Sequence, residues 1–187
     1  MPITRFEQLD LNKHYTYADY LSWQFEEFVE LIRGRVFKMA APGLKHQQVS
    51  VNLLLAVGNH LEQSPCQVFT APFDVRLPLP PDQAKNEKVD TVVQPDLCVV
   101  CNPEQLDERG CQGAPDWIIE ILSKSTAKKD LHDKFQLYQH AGVKEYWVVH
   151  PTDGTAIPYR LDENWGIHLI PCYSFYQRRD HNYGYLP

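Results

Sequence analysis

The stretch Trp117-Ile118-Ile119-Glu120-Ile121-Leu122 is an apolar run with one carboxylate inside it. Its β-branched and aromatic residues follow the turn-rich connection Asn102 to Pro115 and read as a buried strand. An ionised carboxylate in an apolar interior costs several kcal/mol unless something pairs with it. Glu120 therefore needs a cation, a hydrogen-bond cage or a proton. Which of these it has separates an enzyme from a scaffold.

The rest of the chain builds outward from that strand. Thr16 caps a short helix carrying Tyr17, Tyr20, Leu21 and Trp23. Two β-rich runs, Phe28 to Ile32 and Arg35 to Met39, flank Arg33-Gly34, which reads as a tight hairpin turn. Helical spacing of Val49, Leu53, Ala56 and Val57 predicts a helix from about Lys45 to Gln63. Strands are expected over Gln67–Thr70, Phe73–Leu77 and Val92–Cys101. The segment from Pro78 to Asp90, with three prolines and five charged residues, reads as a mobile loop.

After the opening strand, a helix starts at Ser125 or Thr126, buries Leu131, Phe135 and Tyr138, and ends at Gly142. Val143 to Val149 is a further strand, and 156–159 with 166–170 forms a hairpin. The order predicts an α/β (α+β) fold: a mixed β-sheet flanked by helices in one domain. Its core covers about 15–151, and the β-hairpin extension 152–187.

The 187 residues carry a net charge of −6 and a pI of about 5.7, which argues against a whole-surface nucleic-acid binder. A local basic patch beside an acidic, cation-binding centre remains compatible with it. No apolar stretch approaches the ~20 residues of a membrane span, so no membrane partner is expected. Met1 to Asp10 lacks a signal pattern, and a cytoplasmic protein is expected. Five cysteines with no framework spacing predict reduced thiols. Cys98 and Cys101 have metal-pair spacing but face opposite sides of a strand, so zinc is not expected. Phosphate-loop, dinucleotide and serine-elbow motifs are absent.

Alternation puts Asp96, Cys98 and Val100 on one face of their strand, and Ile118, Glu120 and Leu122 on one face of theirs. If the strands are neighbours, Asp96 and Glu120 converge. Two close carboxylates repel, and a hard-oxygen site suits Mg2+ or Mn2+. The bland alternative for each is a backbone cap or a surface ion pair. Leu122 occupies the place where a lysine would complete the set. Lys124 at the strand end and Lys134 on the next helix are the substitutes. Lys134 lies about 60° off the centre of the buried face, and its ordinary reading is an i, i+4 pair with Asp130.

Gln94-Pro95-Asp96-Leu97, then Ala114-Pro115-Asp116-Trp117-Ile118-Ile119-Glu120-Ile121-Leu122-Ser123, resembles the Uma family of restriction-endonuclease-like proteins in the PD-(D/E)XK nuclease superfamily. Asp130-Leu131, Lys134, Tyr138 and Gly142 to Val149 continue the likeness, which runs from about Tyr15 to Pro151. The resemblance implies a restriction-endonuclease-like fold and metal-dependent phosphodiester cleavage of nucleic acid, with DNA the expected substrate. It carries the metal-ligand role to Asp96 and Glu120, adds the carbonyl of Ile121, and moves the lysine to Lys134. Lys124 stands where the family often has proline. A homodimer is a further implication.

In such a site Lys134 would orient water or offset phosphate charge, and a lysine at a wet site stays protonated. Glu30 could add a ligand; its plain reading is a solvent-facing strand residue. His46, at a helix start, could meet a phosphate, or sit in water. Asp74 could join the acidic cluster. Lys128 and Lys129, with Lys124, could meet a nucleic-acid backbone, or form a solvated helix start. Two function classes follow: a magnesium-dependent endonuclease, or a catalytically inactive nuclease fold acting as a nucleic-acid-binding or regulatory module. The leucine at 122 and the acidic charge favour the second; Asp96, Glu120 and Lys134 together favour the first.

Overall fold

Trp117–Ile121 is a strand at the middle of the larger of two sheets. The computed structural model describes residues 2–78, 89–123, 129–161, 167–169 and 173–174. Most of the predicted 78–90 loop, the helix start at Ser125 and Thr126, and both Lys124 and Lys128 lie outside them.

Thr16 starts α1 (Tyr17–Ser22) with a reciprocal box in which Thr16 and Asp19 each accept from the other's backbone N–H. The hairpin of β1 (Val29–Ile32) and β2 (Arg35–Lys38) turns at Arg33 and Gly34 with φ of 48° and 74°. Two successive left-handed residues are what a two-residue turn matching strand twist demands. The predicted long helix is α2 (Leu44–His60). β3 (Gln67–Thr70) follows as expected, whereas the Phe73–Leu77 run shortens to β4 (Val75–Arg76).

The Val92–Cys101 run is not one strand. It divides into β5 (Val92–Val93) and β6 (Leu97–Val100), which belong to different sheets. Pro95 has no N–H to give a ladder, so Gln94-Pro95-Asp96 is where the chain crosses over. β7 (Leu106–Asp107) and β8 (Gly110–Gln112) complete the small sheet in the order β2-β1-β5-β4-β8-β7.

The opening strand is β9. It is followed by a π-helical turn over Lys129–Lys134, α3 (Phe135–Ala141) ending at left-handed Gly142, and β10 (Glu145–His150). The predicted tail hairpin is β11 (Thr155–Leu161) with β12 (Ile167–Leu169); β13 (Tyr173–Ser174) also pairs with β11. The large sheet runs β12-β11-β10-β9-β6-β3, with β9 parallel to β10 and antiparallel to β6.

Both faces of β9 are covered, as its unbroken apolar sequence requires. Ile119 and Ile121 pack with Leu97, Val99, Trp147, Val149 and the α2 residues Leu53 and Val57. On the other face, Ile118 and Leu122 pack with Cys98, Tyr146, Val148 and the α3 residues Leu137 and Tyr138. Glu120 alternates onto this second face. Among the described residues no helix is long and apolar enough to cross a membrane.

The expectation of reduced thiols fails at one pair. Cys66 and Cys101 form a disulfide. The β3–β6 register sets Gln67 against Val100, and one more step sets Cys66 against Cys101. Cys98 and Cys111 are free and buried, and burial pushes the Cys111 thiol up to about 12.

Candidate active site

The β6–β9 register pairs Leu97 with Ile119 and Cys98 with Ile118, so one further step places Asp96 opposite Glu120. Directly opposed residues on antiparallel strands share a face, with Cβ atoms about 4.5–5.5 Å apart. Asp96 and Glu120 thus stand at opposed positions, at the end of β6 where the chain arrives from the other sheet. Asp96 also reaches sideways: its Oδ2 accepts the Ile121 backbone N–H at 2.7 Å and contacts His46 Nε2 at 3.2 Å. Both contacts fall on one oxygen, which leaves Oδ1 available among the described residues.

Glu120 finds its partner on the following helix. Lys134 Nζ donates to Glu120 Oε1 at 2.7 Å, and the Tyr138 hydroxyl donates to the same oxygen at 2.7 Å. Lys134 and Tyr138 are four residues apart, the spacing that stacks side chains on one helix face. The buried face of this segment is Lys134, Leu137 and Tyr138, with Phe135 only partly buried. Tyr138 is buried as expected and Phe135 packs against the core from a partly buried position, the Leu131 side chain lies outside the described residues, and Lys134 is itself buried rather than to one side. Lys134 is not a solvated cation: its side chain is 5% exposed, and the Asp130 side chain lies outside the described residues. A wet lysine was expected, and this one is dry.

The same ammonium holds a second carboxylate. Lys134 Nζ lies 2.8 Å from Glu30 Oε1, which also accepts the Gln94 backbone N–H at 3.2 Å. Glu30 is 2% exposed, so the solvent-facing alternative is wrong. All of β1 is buried, because the hairpin lies inside the N-terminal core of Leu9, Tyr15, Tyr17 and Val36. Glu30 and Glu120 thus share the Lys134 ammonium, while Asp96 has its contact with His46.

Asp74 does not enter this cluster directly. Its Oδ1 accepts from Gln94 Nε2 at 2.8 Å and from the Tyr20 hydroxyl at 3.1 Å. Gln94 thus links two groups, with its backbone on Glu30 and its side chain on Asp74. Burial raises the Asp74 pKa, against the lowering effect of Gln94, Tyr20 and Arg76. Burial, then Glu120 and Glu30, raise Tyr138 well above the usual phenol value, so it stays a donor. Lys129 is placed on the π-helical turn, and its side chain lies outside the description.

Tyr138 and Gln94 are the contributors that sequence reasoning missed. Tyr138 was read as core, and its signal was the i, i+4 offset from Lys134. Gln94 stood in the quoted motif without a role.

Exposure is graded across the site. Asp96 and His46 side chains are 19% and 15% exposed, against 4% for Glu120. A ligand arriving from solvent meets Asp96 first. Among the described residues no three His, Cys, Asp or Glu side chains gather so as to hold a metal by themselves. A magnesium ion does not require three: it is commonly held by one or two carboxylates, with water and substrate phosphates completing its shell. Asp96 and Glu120 are oxygen donors of the hard type such an ion takes.

Comparison with known proteins follows this geometry. The family model described as "Uma2: Putative restriction endonuclease" matches residues 17–174. The chain belongs to the Uma2 family. A curated relative of this Uma2 chain, "Uncharacterized protein slr1290" of Synechocystis sp., is 26% identical over 137 residues, covering 72% of this chain and 67% of the relative. A crystal structure described as a putative nuclease belonging to DUF820, from Anabaena variabilis, superposes with a TM-score of 0.64. Identity is 19%, and 83% of each chain is covered, so that likeness concerns the fold. The Uma2 chain has the mixed α+β, restriction-endonuclease-like fold its sequence predicted.

Proposed function

We propose that this chain is a divalent-metal-dependent endonuclease that hydrolyses phosphodiester bonds of nucleic acid, with DNA the substrate. The observation that carries the reading is Asp96 facing Glu120 across two core strands, with Lys134 fastened to Glu120. Asp96, Glu120 and the Ile121 carbonyl would hold the Mg2+ or Mn2+. Such an ion, when bound, supplies Lewis acidity and a water of lowered pKa.

The chain's own groups do the rest. Lys134, anchored by two carboxylates, is a fixed point charge rather than a base. It offsets charge building on phosphate oxygens beside Glu120. Tyr138 and Lys134 fix one oxygen of Glu120 and so orient the other. Glu30 keeps Lys134 from swinging out. His46 is the third residue of α2, where the helix dipole favours anions, and it steadies Asp96. Lys124, Lys128 and Lys129 lie along the segment that leaves β9 and would meet the nucleic-acid backbone.

The alternative reading, a nuclease fold kept for binding or regulation alone, draws on the closed Glu30–Lys134–Glu120 bridge and on Leu122, buried in the usual lysine place. An assay on duplex DNA, single-stranded DNA and RNA, with Mg2+, Mn2+ or EDTA, separates the two. The endonuclease reading expects metal-dependent internal cleavage, strongest on DNA, lost in Asp96→Ala and cut at least about a hundredfold in Lys134→Ala. Binding without cleavage under every metal would favour the alternative.

A further inference from the structure

The turn at Arg33-Gly34 fixes which residues stand beside Glu30. The β1–β2 register sets Phe37 directly opposite Glu30. Two residues further along the hairpin, the Met39 N–H donates to the Phe28 carbonyl at 2.9 Å, which sets Phe28 opposite Met39. By alternation Phe28, Glu30, Phe37 and Met39 share one face, while Val29, Leu31 and Val36 turn to the N-terminal core. On that shared face Glu30 reaches Lys134, 2.8 Å away. Phe28 is 57% exposed and Phe37 40%. Two large rings thus stand partly in water next to a buried carboxylate of the candidate site.

Charge marks the same segment. From Phe28 to Leu61 the chain holds the cations Arg33, Arg35, Lys38 and Lys45, and its one carboxylate there, Glu30, is buried. In a chain of net charge −6 this is a basic island. Arg35 falls on the face of Phe37 by alternation, and its Nη1 donates to the Leu11 and Asn12 carbonyls, each at 3.2 Å. Lys45 precedes His46 on α2. Lys38 turns the other way, onto Glu27 at 3.2 Å. The acidic side begins before Phe28, at Glu26 and Glu27.

A phenyl ring has no donor or acceptor, so it makes no hydrogen bond to the base edges that a groove displays. What it offers is a π face, and the matching surface of a nucleic acid is the face of a base. Within a duplex those faces are covered by neighbouring bases; in a single strand they can be splayed out onto aromatic side chains. Cations for the phosphates with rings for the bases is the combination that binds single strands.

We propose that Phe28 and Phe37 form a stacking platform for unpaired bases, which makes single-stranded DNA the substrate class of the candidate active site. This rests on the endonuclease reading and adds strandedness to it. Arg35 and Lys45 supply charge for the phosphates of the same strand. Negatively supercoiled duplex offers such bases where it opens.

Fluorescence anisotropy of a labelled oligothymidine and of a labelled duplex of equal length, with Ca2+ in place of Mg2+, tests this. Wild type is expected to bind the single strand at least about fivefold tighter than the duplex. Phe28→Leu and Phe37→Leu keep apolar bulk and remove the ring. Each weakens single-strand binding by about fivefold or more, with duplex binding and far-UV circular dichroism unchanged, and Phe37→Trp retains it. Leucine serves as well as phenylalanine for a wedge between stacked base pairs, so the same variants separate stacking from wedging. Single-strand binding that survives both leucine variants, or a duplex bound as tightly as the single strand, would overturn the platform and leave the endonuclease reading standing. A wild type that binds neither DNA would overturn both.

Discussion

Lys134 binds two carboxylates that would otherwise be buried beside each other without a cation. Breaking a buried pair from one side typically costs about 3–5 kcal/mol, because the remaining charge is stranded. Lys134→Met should lose stability of that order in urea unfolding, and adding Glu30→Gln and Glu120→Gln should restore most of it. A loss near zero for Lys134→Met would mean the bridge does not exist in solution. Tyr138→Phe removes one donor to a charged acceptor and should cost about 1.5–3 kcal/mol in the same experiment. Asp74 gives a pH signature. Burial raises its folded pKa, so the folded state holds the proton more tightly than the unfolded chain. Its contribution is favourable below the ordinary carboxylate value of about 3.9 and is lost as pH rises through the folded value. Asp74→Asn keeps an oxygen for Tyr20 and Gln94 and discards the charge. Its melting temperature should therefore gain on wild type as pH is raised from acid to neutral; a constant difference would show that Asp74 is not perturbed. At this scale the sequence announced that Glu120 needed a partner. It could not reveal that Glu30 and Glu120 share one ammonium, since residues 90 positions apart meet only through the packing of two sheets.

Elements were legible where local chemistry decides them: the Thr16 cap, the Arg33-Gly34 turn, the α2 periodicity and the apolar β9. They were illegible where tertiary pairing decides. The Val92–Cys101 run reads as one strand by composition, yet Pro95 lets it serve two sheets, and that division brings Asp96 to the strand end facing Glu120. The disulfide was hidden for the same reason: Cys66 and Cys101 are 35 residues apart and become neighbours only through the β3–β6 register. It ties the edge strand β3 to the strand that begins beside Asp96. Closing a loop of that length contributes about 2–4 kcal/mol, chiefly by restricting the unfolded chain. Cys66→Ser with Cys101→Ser should lower the urea midpoint accordingly, and reductant should do the same to wild type. Equal midpoints with and without reductant would argue against the bond.

For the whole molecule, two sheets and two helices supply the groups of the candidate site. β1 from the small sheet supplies Glu30, β6 and β9 from the large sheet supply Asp96 and Glu120, α2 supplies His46, and the segment entering α3 supplies Lys134. Across these groups exposure rises from Glu120 to Asp96. The net charge of −6 gives no general affinity for nucleic acid, so the proposed endonuclease reading requires metal neutralisation at the acidic centre and the local lysines for binding. The most direct test is the rate of nicking of supercoiled plasmid DNA as Mg2+ is titrated, for wild type and for Glu120→Gln purified in parallel. The account predicts saturable, Mg2+-dependent nicking by wild type and none above background by a folded Glu120→Gln. Equal nicking by both proteins, or nicking by wild type that persists in EDTA, would contradict it.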